Sequence, residues 1–394
     1  MGFFLPVPFP TNLIVTLVLT AALAGCSSLP GNGPETSDFA ARAVVDDVRR
    51  YEMIDVSPFV VSVLSKRPQD SLLATFGDYR PPIDPRIGVG DTVSITIWEA
   101  AAGGLFSAPL VTDRFTTGSK SATIPEQVVG RDGALSVPFA GRIRVVNQTV
   151  DQVQRQIERA LDGKAIQPQV LVSVVRPISK SVTVTGEVAG SSRIPLTVKG
   201  DRLLDIIATA GGNRVPVNET FIQLSRAGRT ARVAMSRVVA DPRQNIFMRP
   251  DDVVTLVRDQ QKVVLYGATG RNAEAAFEAD QMSLAEGLAK AGGLLDNRAD
   301  PAGVFVLRFE QPSVLRKLMP ESPLLQGTAL VPVVYRVNMR DPSGLFLAQA
   351  FPLFNRDVLY VSNSTSTEVS KVLQLFAAVV SPAVTGANVY NVTR

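Results

Sequence analysis

Histidine is absent from this sequence of 394 residues, and cysteine and tryptophan occur once each. Without histidine the chain cannot form a histidine-based catalytic triad, use an imidazole as general base or bind a metal through imidazole. A single cysteine excludes an internal disulfide and a cysteine-cluster metal site. We therefore expect no catalytic residues, no metal site and no cofactor.

The charge of the chain is only weakly biased. The formal net charge is +4, although the pI is near 9.3, and no dense block of lysine and arginine is present. Such a balance does not indicate a nucleic-acid partner. The hydrophobic content of 45% is ordinary for folded domains, and the length suits two to four of them.

Charged residues are also missing from the first 25 positions, where the segment 13–25 is a continuous run of small and apolar residues. This run has the length of a signal peptide and is short for a membrane span. It ends in Leu23-Ala24-Gly25-Cys26, the order of a bacterial lipobox. We therefore predict a signal peptide over 1–25 and lipidation of Cys26, with a buried free cysteine as the alternative. Lipid chains there would tether the mature N-terminus to a membrane.

Residues 182–212 are largely repeated further along the chain. Gly186 corresponds to Gly267, and the pair at 211–212 corresponds to the pair at 292–293, at a constant offset of 81 residues. In each copy an alternating apolar strand reaches a glycine, and a helix-period segment then ends in Ala-Gly-Gly. A closing strand follows Asp252 in the first copy and Asp357 in the second. The pattern predicts two related α+β modules.

The residues before the repeat predict another strand-rich unit. A glycine turn at 88–90 precedes a strand in which Val93 and its alternate neighbours face one side. Thr149 is placed to cap a helix, and the segment 168–175 reads as a strand that closes the unit. Upstream of this unit, the pattern allows a helix over 39–54 that leads into a short strand.

These motifs in their order resemble the outer-membrane polysaccharide export lipoproteins, the Wza-type translocons. The segments that carry the resemblance are Gly88-Val-Gly-Asp-Thr-Val, Asp132-Gly-Ala-Leu-Ser-Val-Pro-Phe-Ala-Gly, the helix after Thr149 and Pro168-Gln-Val. Trp98-Glu-Ala and the glycine-rich stretch after it are similar to the branch that serves ABC-transporter-dependent capsules. The resemblance implies an α+β chain with an export domain, two β-grasp (SLBB-like) modules and a C-terminal amphipathic membrane helix that assembles into an α-helical barrel.

On this basis the chain divides into six parts. They are the signal peptide 1–25, a linker and lead segment 26–85, the export domain 86–180, a first β-grasp module 181–260, a second β-grasp module 261–362 with an insert at 311–331, and the C-terminal helix and tail 363–394.

The segment 368–381 predicts an amphipathic helix. One side is polar and would line a shared aqueous lumen, and the other is apolar and would face lipid. The polar side carries Ser370, Lys371, Gln374 and Ser381. The apolar side carries Val369, Val372, Leu373, Phe376, Val379 and Val380. A helix packed on a globular core would show the same division, and a ring of identical helices would keep the polar side chains away from lipid.

The resemblance implies a homo-oligomer, usually an octamer, that exports capsular polysaccharide or exopolysaccharide across the bacterial outer membrane. The protein would be lipid-anchored and mostly periplasmic, with its C-terminus at the cell surface. Its partners would be the polysaccharide, an inner-membrane polysaccharide co-polymerase and a transporter or synthase.

Two alternatives remain open from the sequence. One is a lipid-tethered periplasmic binding or adaptor protein without a pore. The other is an enzyme that uses the carboxylate pairs at 46–47 or 251–252, although adjacent residues on a strand point to opposite faces.

Overall fold

A computed structural model describes residues 33–45, 48–68, 70–77, 86–100, 105–106, 121–327, 329–365 and 367. The chain divides into two compact units. One comprises Gln69–Gln260, and the other comprises Met1–Pro68 together with Gln261–Arg394. Helices and strands are mixed throughout the described residues, so the predicted α+β class is confirmed.

The lead segment forms short elements rather than one long helix. They are α1 (Thr36–Ala41), β1 (Val44–Val45), β2 (Val48–Arg49), β3 (Glu52–Asp55), α2 (Pro58–Ser65) and α3 (Leu72–Phe76). The prediction of a helix over 39–54 is therefore wrong beyond Ala41. The valines that follow are β-branched and favour extended backbone, and they pair with each other as an antiparallel ladder.

The segment predicted as the export domain is built on a three-stranded antiparallel sheet. Its elements are β4 (Thr92–Trp98), β5 (Ser121–Val128), β6 (Ala134–Val137), β7 (Gly141–Arg144), α4 (Val150–Leu161) and β8 (Gln169–Arg176). The sheet has the order β5-β4-β8, and β6 and β7 form a separate hairpin. The predicted alternation in β4 is confirmed, because Val93 and its alternate neighbours are buried.

Helix α4 starts at a capping box, as the sequence predicts. The Thr149 hydroxyl accepts from the Gln152 amide, and the Gln152 side chain accepts from the Thr149 amide. The apolar side of the helix, Val153, Ile157 and Leu161, is fully buried against the sheet. Each such side chain contributes about 1.5–3 kcal/mol by leaving water.

The first module is a five-stranded mixed sheet. Its elements are β9 (Ser181–Gly186), β10 (Ser192–Pro195), α5 (Leu203–Thr209), β11 (Thr220–Arg226), β12 (Arg229–Ala234), α6 (Met235–Ala240) and β13 (Val253–Arg258). The strand order is β10-β9-β13-β11-β12, and the β9–β13 pair is parallel.

The second module repeats this topology. Its elements are β14 (Lys262–Gly267), β15 (Ala273–Ala276), β16 (Met282–Ser283), α7 (Leu284–Lys290), β17 (Ala299–Glu310), α8 (Pro312–Leu318), β18 (Val331–Val337), α9 (Pro342–Ala350), β19 (Pro352–Leu353) and β20 (Val358–Asn363). The order β15-β14-β20-β17-β18 matches that of the first module strand for strand, so the predicted duplication is confirmed. The insert at 311–331 lies inside the hairpin of β17 and β18 and contains α8.

The lead segment is shared between the two units. Strand β3 joins the second module as a sixth strand, parallel to β18, and Phe39 of α1 stacks on Phe305 with ring centroids 4.1 Å apart. Helix α3 instead packs on the first module, where Leu72 is fully buried. The Ser71 hydroxyl there donates to the Gln244 side-chain carbonyl at 3.0 Å.

Gly186 and Gly267 occupy equivalent positions at the ends of β9 and β14. Both have positive φ, +89° and +100°. A Cβ atom at Gly186 would overlap the carbonyl oxygen of Leu256, and one at Gly267 would overlap that of Val361. The repeated glycine therefore allows two parallel strands to approach, in addition to adopting a left-handed conformation.

We expect Gly267→Ala to destabilise the protein by about 2–5 kcal/mol, because it adds a steric overlap to the cost of positive φ. Gly293→Ala is the matched control. Gly293 has φ +76° and nothing within 4 Å of the added Cβ, so only the backbone strain of about 1–2 kcal/mol applies. Denaturant unfolding of the two full-length variants measures the difference. Equal losses would contradict the role assigned to the close approach.

Candidate functional site

A buried ion pair joins the closing strand of the first module to its neighbour. Arg226 donates from Nε and Nη2 to the two carboxylate oxygens of Asp252, at 2.9 and 2.7 Å. The Asp252 carboxylate also accepts from the Arg249 amide at 2.7 Å. Asp252 is 1% exposed, so this fork-to-fork pair forms with almost no water around the carboxylate.

The second module contains the same pair at the same place. Arg308 donates from Nε and Nη2 to the two oxygens of Asp357, at 2.8 and 2.6 Å. The Phe354 amide donates to Asp357 at 2.7 Å, as the Arg249 amide does to Asp252. Each aspartate directly precedes its closing strand, β13 or β20, so the duplicated sequence places one buried pair in each module.

In the second module, further buried polar side chains surround the ion pair and form a larger cluster. Glu310 is fully buried and accepts from Arg308 Nη1 at 3.2 Å and from the Tyr335 hydroxyl at 3.1 Å. Its other oxygen has no hydrogen bond and lies 3.6 Å from Arg67 Nη2. Burial, followed by the charge of Glu310, raises the pKa of Tyr335 well above its ordinary value. The hydroxyl therefore stays protonated and remains a donor to Glu310.

The cluster connects the lead segment to the second module. Glu52 of β3 is fully buried and accepts from Arg49 at 2.8 Å and from the Ser322 hydroxyl at 2.5 Å. Arg67 lies over the ring of Phe354, 4.7 Å from its centroid, and Arg308 also lies over that ring. The lead segment thus supplies side chains to the interior of this module, and the insert supplies Ser322.

The two ends of the described chain meet at one end of the second module's sheet. Val304 of β17 pairs with Val337 on one side and with Val361 on the other, so β18 and β20 finish at the same end of the sheet with β17 between them. The chain continues beyond β20 at this end, where the Ser364 amide donates to the carbonyl of Arg298 at 2.8 Å. We call this end of the module the exit end.

The N-terminal part of the described chain lies at the exit end too. The Tyr360 hydroxyl donates to the carbonyl of Pro34 at 2.8 Å. The Thr36 hydroxyl donates to Asp300 and bonds to the Ser362 hydroxyl, both at 2.8 Å. Pro34 and Ser364 are therefore held on the same end of one module by direct contacts.

Comparisons with known proteins identify families for the middle of the chain and relatives for nearly all of it. A model of the polysaccharide biosynthesis/export protein family matches residues 80–175, and a model of the SLBB domain matches residues 181–238. The capsule polysaccharide export outer membrane protein CtrA of Neisseria meningitidis serogroup B is 38% identical over 391 residues, which are 98% of each chain. The capsule polysaccharide export protein BexD of Haemophilus influenzae is 33% identical over 95% of this chain and 97% of its own.

The chain belongs to the polysaccharide export family. This membership confirms the family predicted from the sequence, and both relatives named above are capsule exporters. A more distant relative, the EPS I polysaccharide export outer membrane protein EpsA of Ralstonia nicotianae, is 26% identical over 98% of this chain. The family supports a role in transport rather than in catalysis.

The structure does not bring the carboxylates of the enzyme alternative together as a catalytic pair. Asp252 is bound on both oxygens by Arg226, whereas the side chain of Asp251 is 82% exposed and lies 3.6 Å from Arg193. The other pair, at 46–47, lies outside the described residues.

The site residues predicted for this member of the export family also lie outside the described residues. These are the lipidation site Cys26, the lumen-facing Ser370, Lys371, Gln374 and Ser381, and the lipid-facing Val369, Val372, Leu373, Phe376, Val379 and Val380. Within the described part of the chain, no helix has both the length and the apolar character needed to cross a membrane.

Sequence reasoning missed the buried charges of the export protein. Arg308 and Glu310 interrupt an apolar strand, and a charged residue inside such a run is the signal that could have revealed them. Glu52 gives no such signal, because its burial depends on the pairing of β3 with β18 across the length of the chain.

We expect Arg308→Met to destabilise the export protein by about 3–5 kcal/mol, because it leaves Asp357 buried without its cation and leaves Glu310 with Arg67 alone. Arg336→Met is the matched control on β18. Arg336 makes an equally well-aligned pair with Asp55, at 2.6 and 2.9 Å, but the Asp55 side chain is 67% exposed. Loss of the pair between Arg336 and Asp55 should lower the free energy of unfolding by about 1 kcal/mol or less. Denaturant unfolding of the two full-length variants measures both changes in the free energy of unfolding. Similar decreases for Arg308→Met and Arg336→Met would contradict the proposed dependence on burial.

Proposed function

We propose that this protein is an outer-membrane lipoprotein whose copies form a ring and a pore, through which capsular polysaccharide leaves the periplasm for the cell surface. The observation that carries the proposal is the 38% identity to a capsule polysaccharide export outer membrane protein across 98% of both chains. Similarity over the full length includes both termini, where the membrane attachments are predicted.

The exit end supports the predicted membrane attachments. Gly33, which adjoins the ring of Tyr360, lies seven positions after Cys26. Even fully extended, the seven steps from Cys26 to Gly33 reach about 25 Å. A lipid on Cys26 would therefore be held near the exit end. The amphipathic segment begins at 368, directly after Thr367, which bonds to the carbonyl of Arg298 there. Both attachments would then enter one membrane from one end of the second module.

We propose that residues 368–381 and a continuation toward residue 388 cross the outer membrane in every copy. Fourteen residues of helix measure about 21 Å, and a hydrocarbon core is about 30 Å thick, so the continuation is needed. A ring of such helices directs Gln374 and Lys371 to water and Leu373 and Phe376 to lipid. The C-terminus then lies at the cell surface, and the export domain and both modules lie in the periplasm.

The proposed pore supplies a hydrated path and does no bond-making chemistry. The driving force would come from an inner-membrane transporter, of the ABC type for a capsule of this branch, reached through a periplasmic co-polymerase. The alternative is a lipid-tethered periplasmic adaptor that holds a ligand without forming a pore.

The mass and symmetry of the detergent-extracted, lipidated protein decide between these two functions. Native mass spectrometry combined with negative-stain class averages should give a closed ring of about eight copies, the number that the family implies. A monomer or dimer at working concentration would contradict the proposed pore and favour the adaptor function.

We expect Gln374→Trp to lower export of polysaccharide, because each copy in the ring would add a large side chain to the lumen. Leu373→Trp is the matched control, since it adds the same side chain one residue away on the lipid-facing side. The measurement is surface polysaccharide in a deletion strain complemented with each variant, normalised to the amount of ring extracted from the outer membrane. Unchanged export by Gln374→Trp would argue against a luminal position.

A further inference from the structure

Three large apolar side chains are exposed on two neighbouring helices that pack on the core of the second module, one from the lead segment and one from the module itself. Phe59 of α2 is 59% exposed, and Leu345 and Phe346 of α9 are 55% and 75% exposed. The two helices contact each other. Packing against the core does not require these side chains, because α2 buries Val60 and Leu64 and α9 buries Gly344 and Ala348.

All three side chains lie close to the exit end. Strand β3 runs parallel to β18, and the Val56 amide after it donates to the carbonyl of Arg336, so α2 begins where β18 finishes. Helix α9 begins a few residues after β18, at the Asp341 cap. At 1.5 Å per residue, Phe59 and Phe346 are within about 6–8 Å of the starts of their helices.

Single exposed apolar residues are ordinary on a protein surface, but grouped ones indicate a contact with a partner. The position of this group favours a membrane as that partner. The described chain is held at the exit end by Pro34 and by Ser364, and beyond these points lie the predicted lipid anchor and the predicted membrane helix. Aromatic and leucine side chains suit the boundary between headgroups and acyl chains.

We propose that Phe59, Leu345 and Phe346 form a membrane-contact patch that enters the periplasmic leaflet of the outer membrane. The patch adds a third attachment to the lipid anchor and the helix, and it fixes the orientation of the second module against the bilayer. Each side chain acts by transferring apolar surface from water to the interfacial region. This inference rests on the proposed membrane attachments, and it concerns lipid rather than a second copy or the terminal segment of the chain.

Quenching of tryptophan by brominated lipid tests the patch. The single native tryptophan is replaced by Trp98→Phe in every sample. Full-length lipidated protein carrying Phe346→Trp or Phe59→Trp is reconstituted into vesicles of phosphatidylethanolamine and phosphatidylglycerol, with or without bromine on the acyl chains. Phe309→Trp is the matched control. Phe309 is 66% exposed in the same module and lies five residues along β17 from Val304, about 17 Å away from the exit end.

We expect the tryptophans introduced at the patch to emit at shorter wavelength and to lose most of their emission in brominated vesicles, while the control keeps its emission. A blue-shifted tryptophan that brominated lipid does not quench would mean that protein covers the patch, and this would overturn the proposal. Quenching no greater than that of Phe309→Trp would overturn it as well.

Flotation of the same vesicles separates this inference from the proposed function. Protein that floats with the vesicles but is not quenched at the patch retains its membrane attachments and refutes the patch alone. Protein that does not float at all refutes the proposed attachments, and the patch with them.

Discussion

The fold of both modules depends on keeping a charged pair in an interior without water. Removing a carboxylate and a guanidinium from water is costly, and the attraction between them offsets that cost only when geometry and hydrogen bonding are good. In each module the arginine meets the aspartate with two parallel bonds, and a backbone amide three residues before the aspartate completes its coordination. The pair therefore fixes the register of the closing strand against its neighbour, since a shift by one residue would separate two buried charges.

The two modules share one strand order, but the second module has additional elements. In the second module the hairpin of β17 and β18 carries the insert, and the sheet gains β3 as a sixth strand. Glu310 and Glu52 add buried negative charge at this place, and Arg67 and Arg49 from the lead segment stand beside it. Part of the electrostatic requirement of the module is thus met by Arg67, which precedes Glu310 by 243 positions (310 − 67), so the lead segment is part of its structure.

This arrangement links stability to function. Further contacts of the lead segment, made by Pro34 and Thr36, hold the N-terminal part of the described chain at the end from which the C-terminal segment departs. The proposed attachment to a membrane at both termini would require these segments to leave in the same direction. In the proposed function, this geometry would let both attachments reach the outer membrane from one end of the second module.

The sequence alone determined the features that depend on neighbouring residues and on short motifs. The capping box at Thr149, the alternating faces of β4 and the repeated glycines were predictable, because backbone sterics and periodicity act over a few residues. The ordered motifs were sufficient to identify the family. Only the tertiary structure decided that β3 pairs with β18, that Glu52 is buried, and that the two ends of the described part of the chain meet at one place. These features depend on contacts between residues 281 to 326 positions apart (333 − 52 and 362 − 36), and no local propensity encodes them.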